Sequence, residues 1–436
     1  MAEFSKADVE QITSRVMVRM IKQLGNAELD DVATIIAEEV GSDTPVAEQL
    51  KVVIGKRIAA ALQGVDSEDL VVVVPGICDC ADGEHHCITV CAVDAIQKGP
   101  DGTAFIDRDR CIDCGFCVDA CGSGALVERS QCLQIAEMLS QRRQPQLYAI
   151  VAPAFVAQFG PDVSPVQVKA AILRLGFSDV YEVAMAADVL TVLEADEFLQ
   201  RNEAGETFMI TSCCCPAFIK LVEKHRPLVS HLISETVSPM VALGRMLKSR
   251  EPGCHVVFIG PCLAKRAESK RPELANAIDS VLTFKELVTL FEAAGVSLGE
   301  QPDGDVAAFC EASHDGRIYA HTGGVTAAVQ RAIREKNPEV PFRPLKGNGL
   351  KQCSQILQAV EAGEADGNFM EGMACPGGCV GGPGTCVPVE VGASGVQAFA
   401  KQAHVQAARK NKLADRWVEE ATRVSIFYSD KQGDHV

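Results

Sequence analysis

Apolar residues recur at helical spacing along the chain up to about residue 67, and this segment contains no cysteine. The pattern is interrupted near Gly25-Asn26 and again near Gly41-Ser42-Asp43, where turn-forming residues cluster. The spacing predicts three amphipathic helices. We expect a helical docking or packing domain at residues 1–70, whose docking role would require a protein partner. The apolar positions that carry this pattern are Val9, Ile12, Val16, Met20, Leu24, Val32, Ile35, Ile36, Leu50, Val53, Ile54, Ile58 and Leu62.

Short apolar runs alternate with helical patterns beyond Ser130. Such alternation predicts an α/β domain whose strands are largely parallel. Ligands of such sheets gather beyond the carboxyl ends of the strands. The expected strands are 147–152, 180–183, 208–211, 255–260 and 318–320, and the expected helices include 165–175, 217–225 and 284–294.

A compact cysteine-rich stretch, from about Val71 to Val127, lies between these two patterns. It has few long periodic segments, so we expect metal ligands rather than a hydrophobic core to hold it together. The pattern therefore predicts three parts: a helical N-terminal domain at 1–70, a small cysteine-rich domain at 71–130 and an α/β domain at 131–436.

The net charge of the chain argues against some classes of binding partner. The chain has 436 residues, of which 41 are Lys or Arg and 58 are Asp or Glu, so its formal net charge is -17. Such a charge repels phosphate backbones and anionic lipid headgroups, which argues against nucleic acid and membrane partners. The N-terminus has no secretory signal pattern, and no apolar run approaches the roughly 20 residues of a membrane span. We expect a cytoplasmic protein, and in that compartment the 19 cysteines should be thiols or metal ligands rather than disulfides.

Four closely strung cysteines follow the spacing C-x2-C-x2-C-x3-C: Cys111, Cys114, Cys117 and Cys121. In this spacing three thiolates wrap one 4Fe-4S cubane, while the fourth reaches to a second cluster. A zinc site favours two separated C-x2-C pairs, which this run does not form. The spacing therefore indicates iron-sulfur clusters.

A second set of cysteines lies upstream and consists of Cys78, Cys80, Cys87 and Cys91. It resembles the first half of a two-cluster bacterial ferredoxin, although C-x-C-x6-C replaces C-x2-C-x2-C and Ala92 stands where Pro is usual. The residue that completes this cluster could be Cys78, Cys80 or a histidine of the 84–86 loop. We expect the histidines of that loop to be solvated. The resemblance implies two clusters in series, one held by Cys78, Cys80, Cys87 and Cys121, the other by Cys91, Cys111, Cys114 and Cys117.

Three further cysteine segments follow in the α/β region. Thr211-Ser-Cys-Cys-Cys-Pro216 directly follows an expected strand, and so does Gly260-Pro-Cys-Leu-Ala-Lys-Arg-Ala-Glu268. Cys375-x3-Cys379 lies among glycines, which permit close backbone approach to a bulky cofactor. Cys215, Cys262, Cys375 and Cys379 together are four soft ligands, the number that one cubane needs.

These segments resemble, in order and separation, the three signature motifs of the FeFe-hydrogenases. The resemblance spans about Ala149 to Gly384 and implies parallel sheets in two lobes around an active-site H-cluster. In that family the four cysteines bind a 4Fe-4S cubane, and the one that matches Cys379 bridges to a di-iron subsite with carbon monoxide, cyanide and a dithiolate amine. By the same match Cys214 passes protons to the amine, Lys265 hydrogen-bonds a cyanide and Met373 lies beside the di-iron unit. Cofactor contacts are expected from Pro153, Pro239, Lys265 and Met373.

A proton relay is also implied by the resemblance. The segment 187–197 resembles the family helix that supplies two glutamates three residues apart, and this spacing places Glu194 and Glu197 on one helix face. Ser234 falls where the family has a serine between them. The implied path runs through Cys214, a water, Glu194, Ser234 and Glu197 to solvent. Taken without the resemblance, two such carboxylates are commonly a solvated helix face.

Some positions depart from the family pattern. Gly260 stands where many members have a methionine, Ala154 where a serine is common, and Cys213 where a serine is usual. We expect a roomier pocket with fewer hydrogen bonds to the cofactor. The isolated cysteines Cys132, Cys254, Cys310 and Cys353 are expected to be small buried hydrophobes.

The leading functional hypothesis is reversible interconversion of protons and electrons with hydrogen. Electrons would come from a ferredoxin or a similar carrier through the two clusters, and maturation proteins would insert the di-iron subsite. One alternative is a hydrogen-sensing regulatory hydrogenase built on the same cofactor. Another is an iron-sulfur assembly or scaffold protein related to the family, which Cys214, Lys265, Met373 and the glutamate pair disfavour.

Overall fold

The computed structural model describes residues 5–24, 31–41, 44–63, 69–78, 80, 85–141, 145–211, 214–302 and 311–421. The chain divides into two compact units. One comprises Met1–Gln144 with Lys285–Ser297, and the other comprises Pro145–Phe284 with Leu298–Val436. The division into three parts at residues 70 and 130 stays a prediction.

The first unit begins with three helices, which are α1 (Lys6–Gln23), α2 (Val32–Val40) and α3 (Pro45–Leu62). Each starts behind a side-chain cap, because Ser5, Asp31 and Thr44 accept hydrogen bonds from backbone N–H groups of the first turn. Their apolar stripes meet in a shared core that includes Val16, Ile35 and Ile54. The three predicted helices are confirmed.

The cysteine-rich stretch of the first unit has little regular structure. Its elements are β1 (Val71–Val73), α4 (His86–Thr89), β2 (Ile96–Lys98), β3 (Ala104–Ile106), α5 (Phe116–Ala120), β4 (Leu126–Glu128) and α6 (Cys132–Gln141). β1 pairs with β4 and β2 with β3, both antiparallel. The Nζ of Lys6 donates to the carbonyl oxygens of Val118 (2.9 Å) and Asp119 (2.6 Å), which ties α1 to the end of α5.

A four-stranded parallel sheet lies in the second unit. Its strands are β5 (Leu147–Val151), β6 (Asp179–Glu182), β8 (His255–Gly260) and β9 (Ser280–Thr283), in the order β6-β5-β8-β9. Ile150 pairs with Phe258 in the central register, and both side chains are buried. The predicted strands at 147–152, 180–183 and 255–260 are confirmed within one or two residues. β9 was not predicted.

A second parallel sheet in this unit has three strands. They are β7 (Met209–Ile210), β10 (Pro344–Asn348) and β11 (Phe369–Met373), in the order β10-β11-β7. The strand predicted at 318–320 is wrong, because this run forms a 3-10 turn. The reason lies upstream: Ser313 accepts hydrogen bonds from the N–H groups of Asp315 and Gly316, which starts a helical turn that continues into this run.

Helices pack against both sheets, and α8 (Val183–Glu203) contributes more buried residues than any other helix described in the second unit. Side chains are buried on every face of α8, which packs against helices α10, α13, α14 and α17. No helix in the described ranges is long and apolar enough to span a membrane. The helices described in this unit are α7 (Pro165–Leu175), α8 (Val183–Glu203), α9 (Pro216–His225), α10 (Pro239–Arg250), α11 (Ala264–Ser269), α13 (His314–Arg317), α14 (Gly324–Lys336), α15 (Leu350–Glu361), α16 (Val389–Lys401) and α17 (Lys412–Ala421). Helix α12 (Phe284–Ala294) belongs to the first unit from Lys285 onward.

Candidate functional site

Three cysteine-bearing loops leave the carboxyl ends of parallel strands in the second unit. Cys214 and Cys215 follow β7, Cys262 follows β8, and the loop with Cys375 and Cys379 follows β11. Cys215 is the residue immediately before α9, which starts at Pro216 and so needs no N–H donor there. The loops therefore occupy the positions at which α/β sheets bind ligands.

The thiols of Cys215, Cys262 and Cys379 lie close enough to influence one another, although only Cys215 is buried as a whole residue and the other two residues are partly exposed. Burial, with a smaller contribution from the neighbouring Cys215, raises the pKa of Cys262 to about 11. Burial also raises the pKa of Cys379 to about 12, with additional contributions from Cys262 and Cys215. The backbone N–H of Ala374 donates to the sulfur of Cys215 at 3.4 Å. Cys375 lies on the same loop as Cys379 and is partly exposed.

The charge of this set of thiols suits a cationic centre. Buried thiolates close to one another repel, as the mutual rise of their pKa values shows, and a cationic centre would remove that cost. Among the described residues, no group of three or more His, Cys, Asp or Glu side chains is arranged to hold one metal ion. A cubane is larger than an ion and needs its four thiolates farther apart. The arrangement is therefore compatible with a 4Fe-4S cluster.

A buried cation accompanies the thiols. The Nζ of Lys265 lies 2.6 Å from Oε2 of Glu268, and both side chains are almost fully buried. Burial alone would lower the pKa of Lys265, but the charge and hydrogen bond of Glu268 outweigh it, so the net shift is upward. Cys262 and Cys214 contribute in the same direction. Lys265 is therefore held as a cation that faces the cysteine site.

The other residues expected to contact the cofactor lie at element ends. Met373 is the last residue of β11 and is 1% exposed, and its carbonyl oxygen accepts from the N–H of Gly349 at 2.8 Å. Pro153 begins the 3-10 turn after β5, and Pro239 is the buried first residue of α10. Their roles towards a cofactor stay predictions.

The glycines of the cysteine loop lie close to other parts of the chain. A Cβ at Gly378, whose φ is +92°, would lie 2.6 Å from the backbone nitrogen of Thr322. A Cβ at Gly382 would lie 2.6 Å from the carbonyl oxygen of Pro261. Close packing within the protein therefore requires glycine at both positions, and their approach to a bulky cofactor stays a prediction.

The roomier pocket expected at Gly260 is also not found at that position. A Cβ there would lie 2.6 Å from the ring of Phe258 and 3.0 Å from Cβ of Ala152. The space that a larger side chain would fill next to the backbone is therefore occupied by Phe258. Ala154 is completely buried, and Cys213 lies outside the described residues.

Glu371 fixes the strand that carries the cysteine loop. This buried carboxylate accepts hydrogen bonds from the N–H of Gly323 (2.7 Å) and from the N–H (2.7 Å) and hydroxyl (2.6 Å) of Thr326. These donors belong to the first turn of α14, where the helix dipole favours an anion. The contacts join β11 to α14 directly before the loop with Cys375.

We expect Glu371→Gln to lower the stability of the protein by about 2 to 4 kcal/mol, because the new amide would present a donor to groups that donate. The thermal unfolding midpoint should fall by several degrees. The control is Glu390→Gln, since Glu390 is an exposed residue of α16 and should leave the midpoint unchanged. Equal midpoints in both variants would contradict the anchoring role.

The two glutamates of the expected relay belong to α8 and differ in surroundings. Glu194 is 1% exposed, whereas the side chain of Glu197 is 15% exposed and pairs with Arg201 at 2.6 Å. The hydroxyl of Ser234 donates to Oε2 of Glu197 at 2.6 Å. Burial raises the pKa of Glu197, while Arg201 and the Ser234 hydrogen bond oppose that shift.

The expected direct link between Ser234 and Glu194 is replaced in the structure. The hydroxyl of Thr236 donates to Oε1 of Glu194 at 3.2 Å and lies 3.0 Å from the hydroxyl of Ser234. The hydroxyl of Thr211 donates to the other oxygen of Glu194. Sequence reasoning missed both threonines, although Thr211 opens the cysteine motif.

The cysteines of the first unit form two sets. Burial raises the pKa of Cys87 to about 11, and the neighbouring Cys121, Cys80 and Cys78 contribute to this rise. Burial raises the pKa of Cys117 as well, with smaller contributions from Cys114, Cys111 and Cys91 and the smallest from Cys87 of the other set. The grouping parallels the crossed ligand sets that the ferredoxin resemblance implies, whose assignment stays a prediction.

The histidines beside the first set differ from expectation. His86 is exposed, as predicted, but His85 is buried with 8% exposure, because it lies at the start of α4, two residues before the buried Cys87. The isolated cysteines Cys132, Cys254 and Cys353 are buried, which confirms that part of the prediction. Cys310 lies outside the described residues, and Cys386 is exposed.

Comparison with known protein families identifies two matching regions. The family described as "Iron only hydrogenase large subunit, C-terminal domain" matches residues 145–383, more than half of the chain. A 4Fe-4S binding domain matches residues 104–127. The first match covers every cysteine loop of the second unit, and the second covers Cys111, Cys114, Cys117 and Cys121.

Individual relatives fall into two groups. The chain is 32% identical over 329 residues to the NADP-reducing hydrogenase subunit HndD of Solidesulfovibrio fructosivorans, covering 63% of this chain and 55% of that protein. It is 24% identical over 354 residues to the cytosolic iron-sulfur assembly component 3 of Rattus norvegicus, covering 66% of this chain and 74% of that protein. The chain thus spans little more than half the length of HndD.

Solved structures show the same fold. The FeFe-hydrogenase HydA1 from Chlamydomonas reinhardtii aligns with a TM-score of 0.54 and 22% identity, covering 65% of this chain and 93% of that one. The mixed α/β architecture with parallel sheets is therefore similar to that of the FeFe-hydrogenase catalytic domain. The arrangement of two lobes around the cluster stays a prediction.

Proposed function

This chain belongs to the iron-only hydrogenase family through residues 145–383, and from that premise we propose that it interconverts protons and electrons with hydrogen. Electrons would travel through two 4Fe-4S clusters of the first unit, and protons would travel through side chains of the second. Ferredoxin or a similar carrier is the proposed electron partner, with maturation proteins supplying the di-iron subsite.

The residues proposed to hold the active-site cluster are Cys215, Cys262, Cys375 and Cys379, with Cys379 as the bridge to a di-iron subsite. When bound, that subsite with its carbon monoxide, cyanide and dithiolate amine ligands supplies the redox chemistry of hydrogen. Lys265 is proposed to donate to a cyanide, since Glu268 keeps it cationic in a buried position. Pro153, Pro239 and Met373 are proposed to line the pocket and exclude water.

Protons are proposed to move between the site and solvent along α8. Cys214 would exchange a proton with the site at its sulfur and pass it by a water to Glu194. Ser234 then delivers it to Glu197, to which it is hydrogen bonded at 2.6 Å. Glu197 reaches the surface beside Arg201, which in turn pairs with the half-exposed Glu206 at 3.5 Å.

The observation that carries the proposal is the combination of buried thiols with a buried cation and a hydrogen-bonded carboxylate pair. A scaffold that only stores iron-sulfur clusters needs the thiols, but it has no use for a path that conducts protons to them. The similarity to an assembly component makes the scaffold the second candidate. A hydrogen sensor would share every feature of the site and differ in turnover rate.

The test is hydrogen evolution from a reduced viologen dye, measured by gas chromatography after maturation of the di-iron subsite. We expect steady turnover in the wild-type protein and none in protein that has only its 4Fe-4S clusters. A sensor would evolve hydrogen far more slowly than typical enzymes turn over, which is about 10 per second. No hydrogen from fully matured protein would favour the scaffold.

Metal analysis tests the proposed cofactor set separately. We expect about 14 iron atoms per chain in the matured protein, from three 4Fe-4S clusters and one di-iron subsite. Protein expressed without the maturation proteins should contain about 12, because only the cubanes assemble. A preparation in which zinc exceeds iron would contradict the proposed electron path through two 4Fe-4S clusters.

A further inference from the structure

A second hydroxyl stands between the two relay carboxylates. Thr236 Oγ1 donates to Oε1 of Glu194 at 3.2 Å and lies 3.0 Å from Oγ of Ser234, which donates to Oε2 of Glu197 at 2.6 Å. Thr236 is fully buried, and Ser234 is 2% exposed. We call Thr236 and Ser234 the hydroxyl bridge.

We propose that Thr236 is a relay residue whose hydroxyl carries each proton between Glu194 and Ser234. This inference rests on the proposed hydrogenase function, and it adds a residue to the path that the family resemblance implied. The proposed role of Thr236 is to act through the two glutamates that flank the bridge, not on the cofactor.

The hydrogen count of the bridge supports a conducting role. Two hydroxyls carry two hydrogens, but the line from Glu194 to Glu197 contains three oxygen-to-oxygen contacts. One more proton, on Oε1 of Glu194, provides a hydrogen for every contact. All three hydrogens then point towards Glu197, which is the orientation that a proton wire needs.

The transfer step is balanced in atoms and charge. Oε1 of Glu194 gives its proton to Thr236 Oγ1, whose own hydrogen passes to Ser234 Oγ, whose hydrogen passes to Oε2 of Glu197. One proton leaves Glu194, one arrives at Glu197, and both hydroxyls stay neutral. No electron moves in this step.

Neighbouring groups hold the bridge in place. The N–H of Thr236 donates to Ser234 Oγ at 3.3 Å, and the N–H of Glu235 donates to Oε1 of Glu197 at 3.1 Å. Thr211 holds the second oxygen of Glu194, so that Oε1 faces the bridge. The charged groups at the far end are Arg201 and Glu235, which act on Glu197 in opposite directions.

The experiment compares Thr236→Val with Thr236→Ser in matured protein. Valine keeps the shape of threonine and removes the hydroxyl, whereas serine keeps the hydroxyl. We expect Thr236→Val to lower kcat about 100-fold, a usual size for a lost proton-transfer group, and to leave KM for the electron donor unchanged. Its solvent deuterium isotope effect on kcat should rise, and Thr236→Ser should restore both values to near wild type.

The matched control is Thr191→Val. Thr191 is another fully buried threonine, on the same helix as Glu194, and its hydroxyl contacts the carbonyl of Ala187 (2.8 Å) and the hydroxyl of Tyr319 (2.8 Å). Its removal costs a buried hydrogen bond without touching the bridge. We expect unchanged kcat and an unchanged isotope effect.

A second readout does not depend on turnover. In protein without the di-iron subsite, the infrared band of the Glu194 carboxyl group, whether protonated or ionised, can be assigned by its loss in Glu194→Gln. We expect that band to shift in Thr236→Val and to keep its wild-type position in Thr236→Ser and Thr191→Val. An identical band in wild type and Thr236→Val would overturn the bridge.

The kinetic outcomes separate the two proposals. Near wild-type kcat and isotope effect in Thr236→Val, or equal losses in Thr236→Val and Thr236→Ser, would overturn the role of the Thr236 hydroxyl. A matured wild-type protein that makes no hydrogen would instead overturn the proposed function. The carboxyl band would then still decide whether Thr236 links the two glutamates.

Discussion

Matured Cys379→Ala protein should show no infrared bands of metal-bound carbon monoxide or cyanide. Cys379 is the proposed bridge between the cubane and the di-iron subsite, and its loss leaves that subsite without a protein ligand. Its thiol lies close enough to Cys262 and Cys215 for both to raise its pKa, so the substitution removes a member of the proposed ligand set itself. Fourier-transform infrared spectra of wild-type and variant protein, at equal concentration, provide the measurement.

The control for this result is Cys353→Ala. Cys353 is also fully buried, and its sulfur donates to the carbonyl oxygen of Met373 at 3.5 Å, but it is not a proposed ligand. We expect its bands at wild-type intensity. Bands that persist in Cys379→Ala would show that another group anchors the di-iron subsite.

Turnover of Cys214→Ala should fall by a factor of about 100 or more, while its carbon monoxide and cyanide bands remain. The separation follows from its proposed role, since Cys214 passes protons and holds no iron. Its thiol lies close enough to Lys265 to influence the pKa of that residue, which places it at the edge of the site. Hydrogen evolution and infrared spectra on the same sample give both quantities.

Cys254→Ala is the matched control, because Cys254 is a buried thiol that precedes β8 at the end opposite Cys262. It should keep both turnover and bands. Full turnover in Cys214→Ala would move the proton-passing role to Cys213. Loss of the bands would instead make Cys214 a ligand.

The elements that were predicted correctly are those whose bounds depend on residues near them in the sequence. The helices of the first unit have regular apolar spacing and capping residues such as Ser5 and Thr44, so their bounds follow from nearby residues. Strands β5 and β8 are continuous apolar runs, as expected for buried parallel strands. These signals are contained within each element.

The two missed strands of the three-stranded sheet, β10 and β11, lack such signals. β10 contains Pro344, Lys346 and Gly347, and it forms the edge of its sheet. β11 contains the charged Glu371, which is buried only because Gly323 and Thr326 donate to it from α14. That compensation is made by residues more than 40 positions away in the chain, which local patterns do not reveal.

The residues of the candidate site likewise divide into those that local motifs predicted and those that only the structure reveals. The cysteine loops and Lys265 were identified from short motifs, because ligand spacing is local. Thr236 was missed because its hydrogen bond is made to Glu194, which lies 42 residues earlier in the chain. Nothing in the segment 234–236 alone distinguishes a relay hydroxyl from an ordinary loop threonine.

The central claim is that this chain activates hydrogen, and isotope exchange tests it without any electron carrier. Matured protein is placed in H2O under D2 gas, and HD and H2 are followed by membrane-inlet mass spectrometry. We predict steady formation of HD and then H2 by the wild type, and none by Cys379→Ala. Absence of exchange in wild-type protein whose carbon monoxide and cyanide bands are present would contradict the claim.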